Sequence, residues 1–334
     1  MVKRLFGKYF YGGEEVSFAS ETKNELSTLP RPKLCDCIAE FAGIICFAGV
    51  ININANNSFL KIYTENASVA RRIFNLCKWS FDIHMDVRIK KHKASRYTNS
   101  YTLYVGEKES LNTILIETGL INGNMNNREL VHFRIHDAFI SSECCRKAFI
   151  RGAFLGGGSI TDPEKNYHFE IVTHHYLLSK DLCNLLNSFG LYAKTVIRKS
   201  NYVVYFKGSE NIVDVLNIMG AHKALMELEN IRIMKEMRNN VNRVVNCETA
   251  NLEKTLDAAM KQIWSIQYIQ EHMGLKNLPK SLREIAELRM KFQDASLKEL
   301  GEMLDPPIGK SGVNHRLRKI IKIAENLQNS TKAL

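Results

Sequence analysis

A chain of 334 residues with 45% apolar side chains is long enough for two or three compact units with ordinary cores. Its net charge of +11, from 46 Lys and Arg against 35 Asp and Glu, favours a polyanionic partner and decides nothing about fold. The eight cysteines form no C-x-x-C pair, which argues against a zinc ribbon, and the longest apolar run, "FAGIICFAGVI" at 41–51, is too short to cross a bilayer.

The first sixteen residues, "MVKRLFGKYFYGGEEV", lack the apolar core of a secretory signal and read as an N-terminal extension of a cytoplasmic chain with reduced, buried thiols. After "SFASETKNEL" (17–26), a helix is expected over 33–48. Strands "GVININ" and "FLKIYTE" follow, then the helix "SVARRIFNLCKWS", strands "MDVRIKK" and "SYTLYVG", and a closing helix "LNTILIETG". The series then repeats. A helix over 142–156 leads into "SIT", "HFEIVTH", the helix "LLSKDLCNLLNSF", strands "AKTVIRK" and "NYVVYFKG", and the helix "NIVDVLNIMG".

Self-alignment supports the repeat. A shift of 109 superposes Gly43 on Gly152, Gly49 on Gly158, Ile62 on Ile171, Thr64 on Thr173, Asn75 on Asn184, Leu76 on Leu185 and Val87 on Val196. A shift of 101 then superposes Tyr101 on Tyr202, Tyr104 on Tyr205, Leu115 on Leu216 and Gly119 on Gly220, so the first copy carries a longer loop before its last strand. The fold class expected is α+β, an αββαββα unit occurring twice (33–120 and 142–221) within a domain over 17–222. Its two antiparallel sheets are related by a pseudo-two-fold axis. A glycine inside each leading helix costs about 1 kcal/mol relative to alanine, and close approach of the two helix backbones would compensate it.

From 223 the pattern is all-helical. "HKALMELENIRIMKEMRNN" reads as a connecting helix, "VNRVVNCETAN" as a polar linker, and "NLEKTLDAAMKQIWSIQYIQEHM" as a long amphipathic helix ending at Gly274. We therefore expect a helical linker over 223–250 and a helical DNA-binding domain over 251–328. Pro279 opens "SLREIAELRMKF", Ser296 and Glu299 suit a capping box on "LKELGEML", and "DPPIGKSG" separates that helix from "VNHRLRKIIKIAENL".

The last two helices have helix-turn-helix proportions with an unusually long turn. Leu297, Leu300 and Leu304 would face Val313, Leu317, Ile320, Ile321 and Ala324. The opposite face carries Ser311, Asn314, His315, Arg318 and Lys322. Asn314 suits an adenine edge, Arg316 or Arg318 a guanine or a phosphate, and Lys310 and Lys319 phosphates. Possible secondary contacts are Lys90, Lys91, Lys93 and Arg96 in the first copy, with Arg198 and Lys199 in the second. Solvated basic hairpin tips, or a surface that receives a protein, account equally for these six.

The motif helices "FAGIICFAG" (41–49) and "IRGAFLGGG" (150–158) resemble the LAGLIDADG motifs of homing endonucleases. In that family the eighth position of each motif is the acid that holds the divalent metals for cleavage. Here these positions are Ala48 and Gly157, without oxygen-bearing side chains. No catalytic residue, metal or cofactor is expected. "FLGGGSIT" lacks the Gly-Lys-Ser/Thr of a phosphate loop, and His174 and His175 in "VTHH" point to opposite strand faces, so they read as surface histidines.

Over nearly its whole length the chain resembles the WhiA family. The matching pieces include "TENASVARRIF", "CCRKAFIRGAFLGGGSITDPEKNYHFEI", "NRVVNCETANLEKT" and "SLKELGEMLDPPIGKSGVNHRLRKI". The long turn resembles that of sigma-factor region-four helix pairs. The family resemblance implies a DNA-binding transcriptional regulator, linked to sporulation or to cell division and chromosome segregation. Its expected partners are double-stranded promoter DNA and a protein such as RNA polymerase or another regulator, with no membrane association and a monomer or weak dimer as the working state. An active endonuclease and a protein-binding adaptor that uses the saddle are the rival readings.

Overall fold

The computed structural model describes residues 10–11, 14–15, 17–54, 57–91, 99–121 and 131–332. The chain divides between Lys235 and Glu236 into two compact units. In the first, a short ribbon of β1 (Phe10–Tyr11) and β2 (Glu14–Glu15) precedes α1 (Phe18–Ser27), which is capped by the Ser17 hydroxyl.

The first copy follows as α2 (Leu34–Ala48), β3 (Gly49–Asn52), β4 (Phe59–Thr64), α3 (Ala67–Phe81), β5 (Asp86–Lys91), β6 (Asn99–Val105) and α4 (Lys108–Glu117). The second runs through α5 (Glu143–Gly157), β7 (Gly158–Ile160), β8 (His168–Thr173), α6 (Tyr176–Asn187), β9 (Lys194–Arg198), β10 (Asn201–Lys207) and α7 (Ser209–Met219). Each copy makes a four-stranded antiparallel sheet of the same topology, β3-β4-β6-β5 and β7-β8-β10-β9.

Strand register bears out most of the repeat. Gly49 and Leu103 flank Ile62 in one sheet, and Gly158 and Val204 flank Ile171 in the other, so both shifts recur in three dimensions. The match of Val87 to Val196 does not hold. Val87 lies opposite Leu103, whereas Val196 lies opposite Val203, the counterpart of Thr102. The equivalent of Val196 is therefore Arg88. An error of one residue moves a side chain to the other face of a sheet.

α2 and α5 cross at the centre of this unit, and the crossing explains the paired glycines. A Cβ on Gly43 would lie 2.5 Å from the Phe149 carbonyl oxygen, and one on Gly152 would lie 2.0 Å from that of Glu40. Around the crossing Phe41, Ile44, Ile45, Phe149, Ile150 and Phe154 are fully buried. A charged cluster sits among them. Glu40, wholly buried, accepts from Arg72 Nε and Nη2 at 2.8 and 2.9 Å and from Arg151 Nε at 2.9 Å. Arg72 Nη1 donates to the Leu29 carbonyl and Arg151 Nη1 to that of Met219. Helical periodicity marks apolar faces and gave no sign of this carboxylate.

The polar stretch 241–251 does not break the chain. One helix, α8, runs from His222 to His272. The stretch contains neither Gly nor Pro, and its Asn, Val and Thr residues each cost no more than about 0.7 kcal/mol in a helix. The second unit is completed by α9 (Lys280–Lys291), α10 (Leu297–Glu302) and α11 (Lys310–Lys332). Its core gathers Ile266 and Ile269 of α8 with Leu282, Ile285, Leu300, Val313, Leu317 and Ile320. Buried Arg289 donates to Gln262 Oε1 at 2.9 Å and to the Ala295 carbonyl at 2.6 Å, fixing the approach to α10. Among the described residues no helix is long and apolar enough to cross a membrane.

Two further expectations change. The cysteines are free, but Cys35, Cys144 and Cys247 are exposed rather than buried. α11 begins at Lys310, three residues ahead of Val313, so Lys310 and Ser311 belong to its first turn and not to the break.

Candidate nucleic-acid interface

The capping box at the start of α10 forms as its sequence requires. Glu299 N donates to Ser296 Oγ at 3.3 Å, and Ser296 N donates to Glu299 Oε2 at 2.7 Å. The bond from the Ser296 backbone, with the hydroxyl contact, holds the Glu299 carboxyl below its ordinary pKa. The long turn closes on itself where Ile308 N donates to the Gly301 carbonyl at 3.0 Å. A Cβ on Gly301 would stand 2.2 Å from the Ile308 carbonyl oxygen, so the turn seats on bare backbone.

α11 then presents two faces. Val313, Leu317, Ile320 and Ala324 are buried against α8, α9 and α10, with Ile321 half-buried. Leu300 and Leu304 supply the facing surface, with Leu297 packed against it. Lys310, Ser311, His315, Arg318, Lys319 and Lys322 are exposed, and Asn314 is half-buried at their edge. Arg316 departs from the pattern: it is half-buried, and Nη1 donates to the Ser281 carbonyl at 3.4 Å, back toward α9. Lys261 and Glu325, 2.8 Å apart, tie α11 to α8.

A second basic surface lies on the sheets. In β4, Leu60 and Ile62 point to the helices and are buried, so Lys61 points away, as do its neighbours across the sheet, Arg88 and Lys90. The second sheet turns Lys194, Arg198 and Lys207 outward in the same way. Arg198 is paired with Glu170 at 3.2 Å, and Arg88 lies over the Tyr104 ring at 5.6 Å. Lys91 falls on the other face of β5, and Lys199 sits in a two-residue turn with Ser200, both at positive φ. Lys93 and Arg96 lie outside the described residues. His168 faces Glu170 at 2.9 Å, His174 is exposed, and His175 stacks on Phe133 with ring centroids 4.0 Å apart. Partial burial holds the His175 pKa below its ordinary value.

The two motif positions offer no ligand to a hard cation. Ala48 ends α2 and Gly157 ends α5. A Cβ on Gly157 would stand 2.8 Å from the Val172 carbonyl oxygen, so the space an acid needs is occupied by backbone. Asp36 and Glu143 fall in the first turns of these helices. At 1.5 Å per residue that is about 18 Å or more from the motif ends.

Comparison with known proteins agrees along the whole length. Three family models match in order: the WhiA N-terminal LAGLIDADG-like domain over 34–121, the WhiA LAGLIDADG-like domain over 146–238, and the WhiA C-terminal HTH domain over 241–324. A probable cell division protein WhiA of Alkaliphilus metalliredigens is 49% identical over 311 residues, covering 93% of this chain and 98% of that protein. The protein of the same name from Clostridium botulinum (strain Hall) is 50% identical over 313 residues, covering 94% and 99%. The crystal structure of full-length DUF199/WhiA from Thermatoga maritima superposes with a TM-score of 0.58 at 26% identity, covering 93% of this chain and 99% of that one. A tandem LAGLIDADG-like fold without acids at its motif ends, joined to a helix-turn-helix and about half-identical to the Alkaliphilus and Clostridium proteins almost end to end, places this chain in the WhiA family.

Proposed function

We propose that the protein is a DNA-binding transcriptional regulator that engages double-stranded promoter DNA through α11 and does not cut it. The observation that carries this reading is the division of α11 into an inward apolar face and an outward face of Lys310, Ser311, His315, Arg318, Lys319 and Lys322. A recognition helix needs this polarity, with hydrogen-bonding groups toward its N-terminal end and cations flanking them. Asn314 takes an adenine edge and Arg318 a guanine. Lys310, Lys319 and Lys322 take phosphates, Lys310 aided by the partial positive charge of the helix N-terminus. Arg316, engaged with Ser281, positions the helix until DNA competes for its guanidinium.

One such helix makes few base contacts, each worth about 1–3 kcal/mol, so selectivity within a genome calls for a second contact. The outward sheet cations Lys90 and Arg198, with Lys91 and Lys199 beside them and Lys93 and Arg96 proposed from the sequence alone, or a protein partner such as RNA polymerase or another regulator, fill that role. The relatives' names, probable cell division proteins, support a role in cell division, and the regulator reading extends it to chromosome segregation or sporulation. The protein would then act in the cytoplasm at the nucleoid, as a monomer or weak dimer.

The test is DNA affinity measured against salt. Log affinity should fall linearly with log salt at about 0.9 per phosphate neutralised. Deletion of 296–334 should abolish binding. Arg318→Ala should weaken it, and Lys319→Ala should lower the salt slope by about 1. Retained affinity after the deletion would move the DNA site to the sheets, and a flat salt dependence would favour a protein-binding adaptor.

A further inference from the structure

We propose that Cys35, Asp36, Cys144 and Cys145 form a zinc site that pins the N-terminal ends of α2 and α5 to one another. The three thiol sulfurs and one carboxylate oxygen all lie within 4.8 Å of one another, although the two pairs are more than a hundred residues apart in sequence. Zinc holds thiolates at about 2.3 Å in a tetrahedron, which separates neighbouring ligand atoms by about 3.8 Å. Cys35 Sγ and Asp36 Oδ1 already stand 3.8 Å apart. Closing the set requires side-chain rotation and leaves the backbone in place.

The set is two-fold symmetric in origin. The shift of 109 that superposes Gly43 on Gly152 also superposes Cys35 on Cys144 and Asp36 on Cys145. Each pair occupies the second and third positions of its motif helix, so each copy contributes adjacent ligands from the same turn. The pairs meet because the glycine crossing brings α2 and α5 together.

Charge and hardness select the metal. Three sulfurs exclude magnesium and calcium, which demand oxygen. Three thiolates with one carboxylate in a small four-ligand set suit zinc. Fully deprotonated, the ligands carry four negative charges against two on the metal. The excess lies at two helix N-termini, where partial positive charge stabilises anions, and the metal must displace a Cys145 proton that burial holds on up to about 12. The Ser142 hydroxyl, 3.4 Å from Cys144 Sγ, supplies an outer hydrogen bond to the thiolate once its proton is displaced. Cys35 and Cys144 are exposed, which gives the metal a route in, and Cys145 closes the inner side. With four protein ligands the site is structural and has no open position for chemistry.

The experiment uses the full chain, purified under reducing conditions and loaded with zinc or with cobalt(II). One zinc per chain should survive gel filtration. Cobalt should give the sulfur-to-metal charge-transfer bands and ligand-field bands of a tetrahedral thiolate site. Cys35→Ser and Cys144→Ser, both at exposed thiols, should weaken zinc binding by far more than the roughly tenfold of an outer-shell change, while Ser142→Ala should cost about that factor. Cys247→Ser, outside the cluster, should bind as the parent does, and circular dichroism should show each variant folded. Failure of the reduced parent to retain zinc would overturn the proposal, as would undiminished binding in folded Cys35→Ser and Cys144→Ser. So would a thiol titration of unfolded, unreduced protein that finds two fewer than the eight thiols in the sequence, with Cys35 disulfide-linked to Cys144 or Cys145.

Discussion

Glu40 accepts from one guanidinium in its own copy, Arg72, and from a second, Arg151, in the other. Neutralising it strands one buried cation, Arg72, and one half-buried cation, Arg151, at once. Glu40→Gln should therefore destabilise the first unit by about 3–5 kcal/mol, measured by denaturant unfolding. Lys23 shows the opposite side of burial. Its ammonium lies 5.6 Å from the Phe154 ring centroid, and burial pushes its pKa down to about 8 from 10.5. Between those values the unfolded chain binds the proton that the folded chain has released, so stability should rise as pH climbs from about 8 toward 10.5. In Lys23→Met, melting temperature against pH should lose that rise. Neither residue was legible in the sequence, because a polar residue on an apolar helix face has no partner until distant segments meet. Arg318 and Lys319 were legible, since a helix against a core exposes whatever its apolar stripe leaves over.

α10, its turn and α11 were readable for reasons of range. A capping box is a contact across three residues and needs no tertiary information. The seal on the turn was not readable, because it depends on Ile308 folding back onto Gly301. Gly301→Ala should cost about 1–3 kcal/mol by overpacking and weaken DNA binding with it, as unfolding and affinity measurements on the same preparation would show. β5 marks the limit of sequence comparison at this scale. All its residues are exposed, so no buried alternation fixed its register, and a chance valine identity displaced the match to β9 by one. α8 erred in the other direction. Polar composition suggested a linker, but a helix ends where the backbone is obstructed, and nothing in 241–251 obstructs it.

For the whole molecule, the repeat could be read because its identities fall in order at a constant shift, and the absence of acids at Ala48 and Gly157 because the motif fixes those positions. What the sequence alone withheld was that backbone fills the space beside Gly157. Restoring acids at Ala48 and Gly157 together should not give magnesium-dependent plasmid nicking. The Gly157→Asp component should also lower the melting temperature of the first unit, because its Cβ meets the Val172 carbonyl. A nick that depends on both acids would show the scaffold still poised for cleavage. The zinc site proposed at the far ends of the same helices is equally a whole-molecule property. C-x-C and C-C spacings within one copy hold half of a ligand set each, and the two halves meet where the copies are joined.

The charged cluster at the helix crossing also bears on how this gene can change. By the 109 shift, Glu40 corresponds to Phe149 and Arg151 to Ala42, so the two copies fit one another as lock and key and neither matches itself. Two first halves would set a buried carboxylate against Ala42 instead of a guanidinium, and two second halves would set Arg151 against a phenylalanine. Unequal recombination that rebuilt a homodimer from either half would yield an unstable product. The tandem arrangement is thereby a ratchet, held by ion pairing between two halves that no longer match themselves.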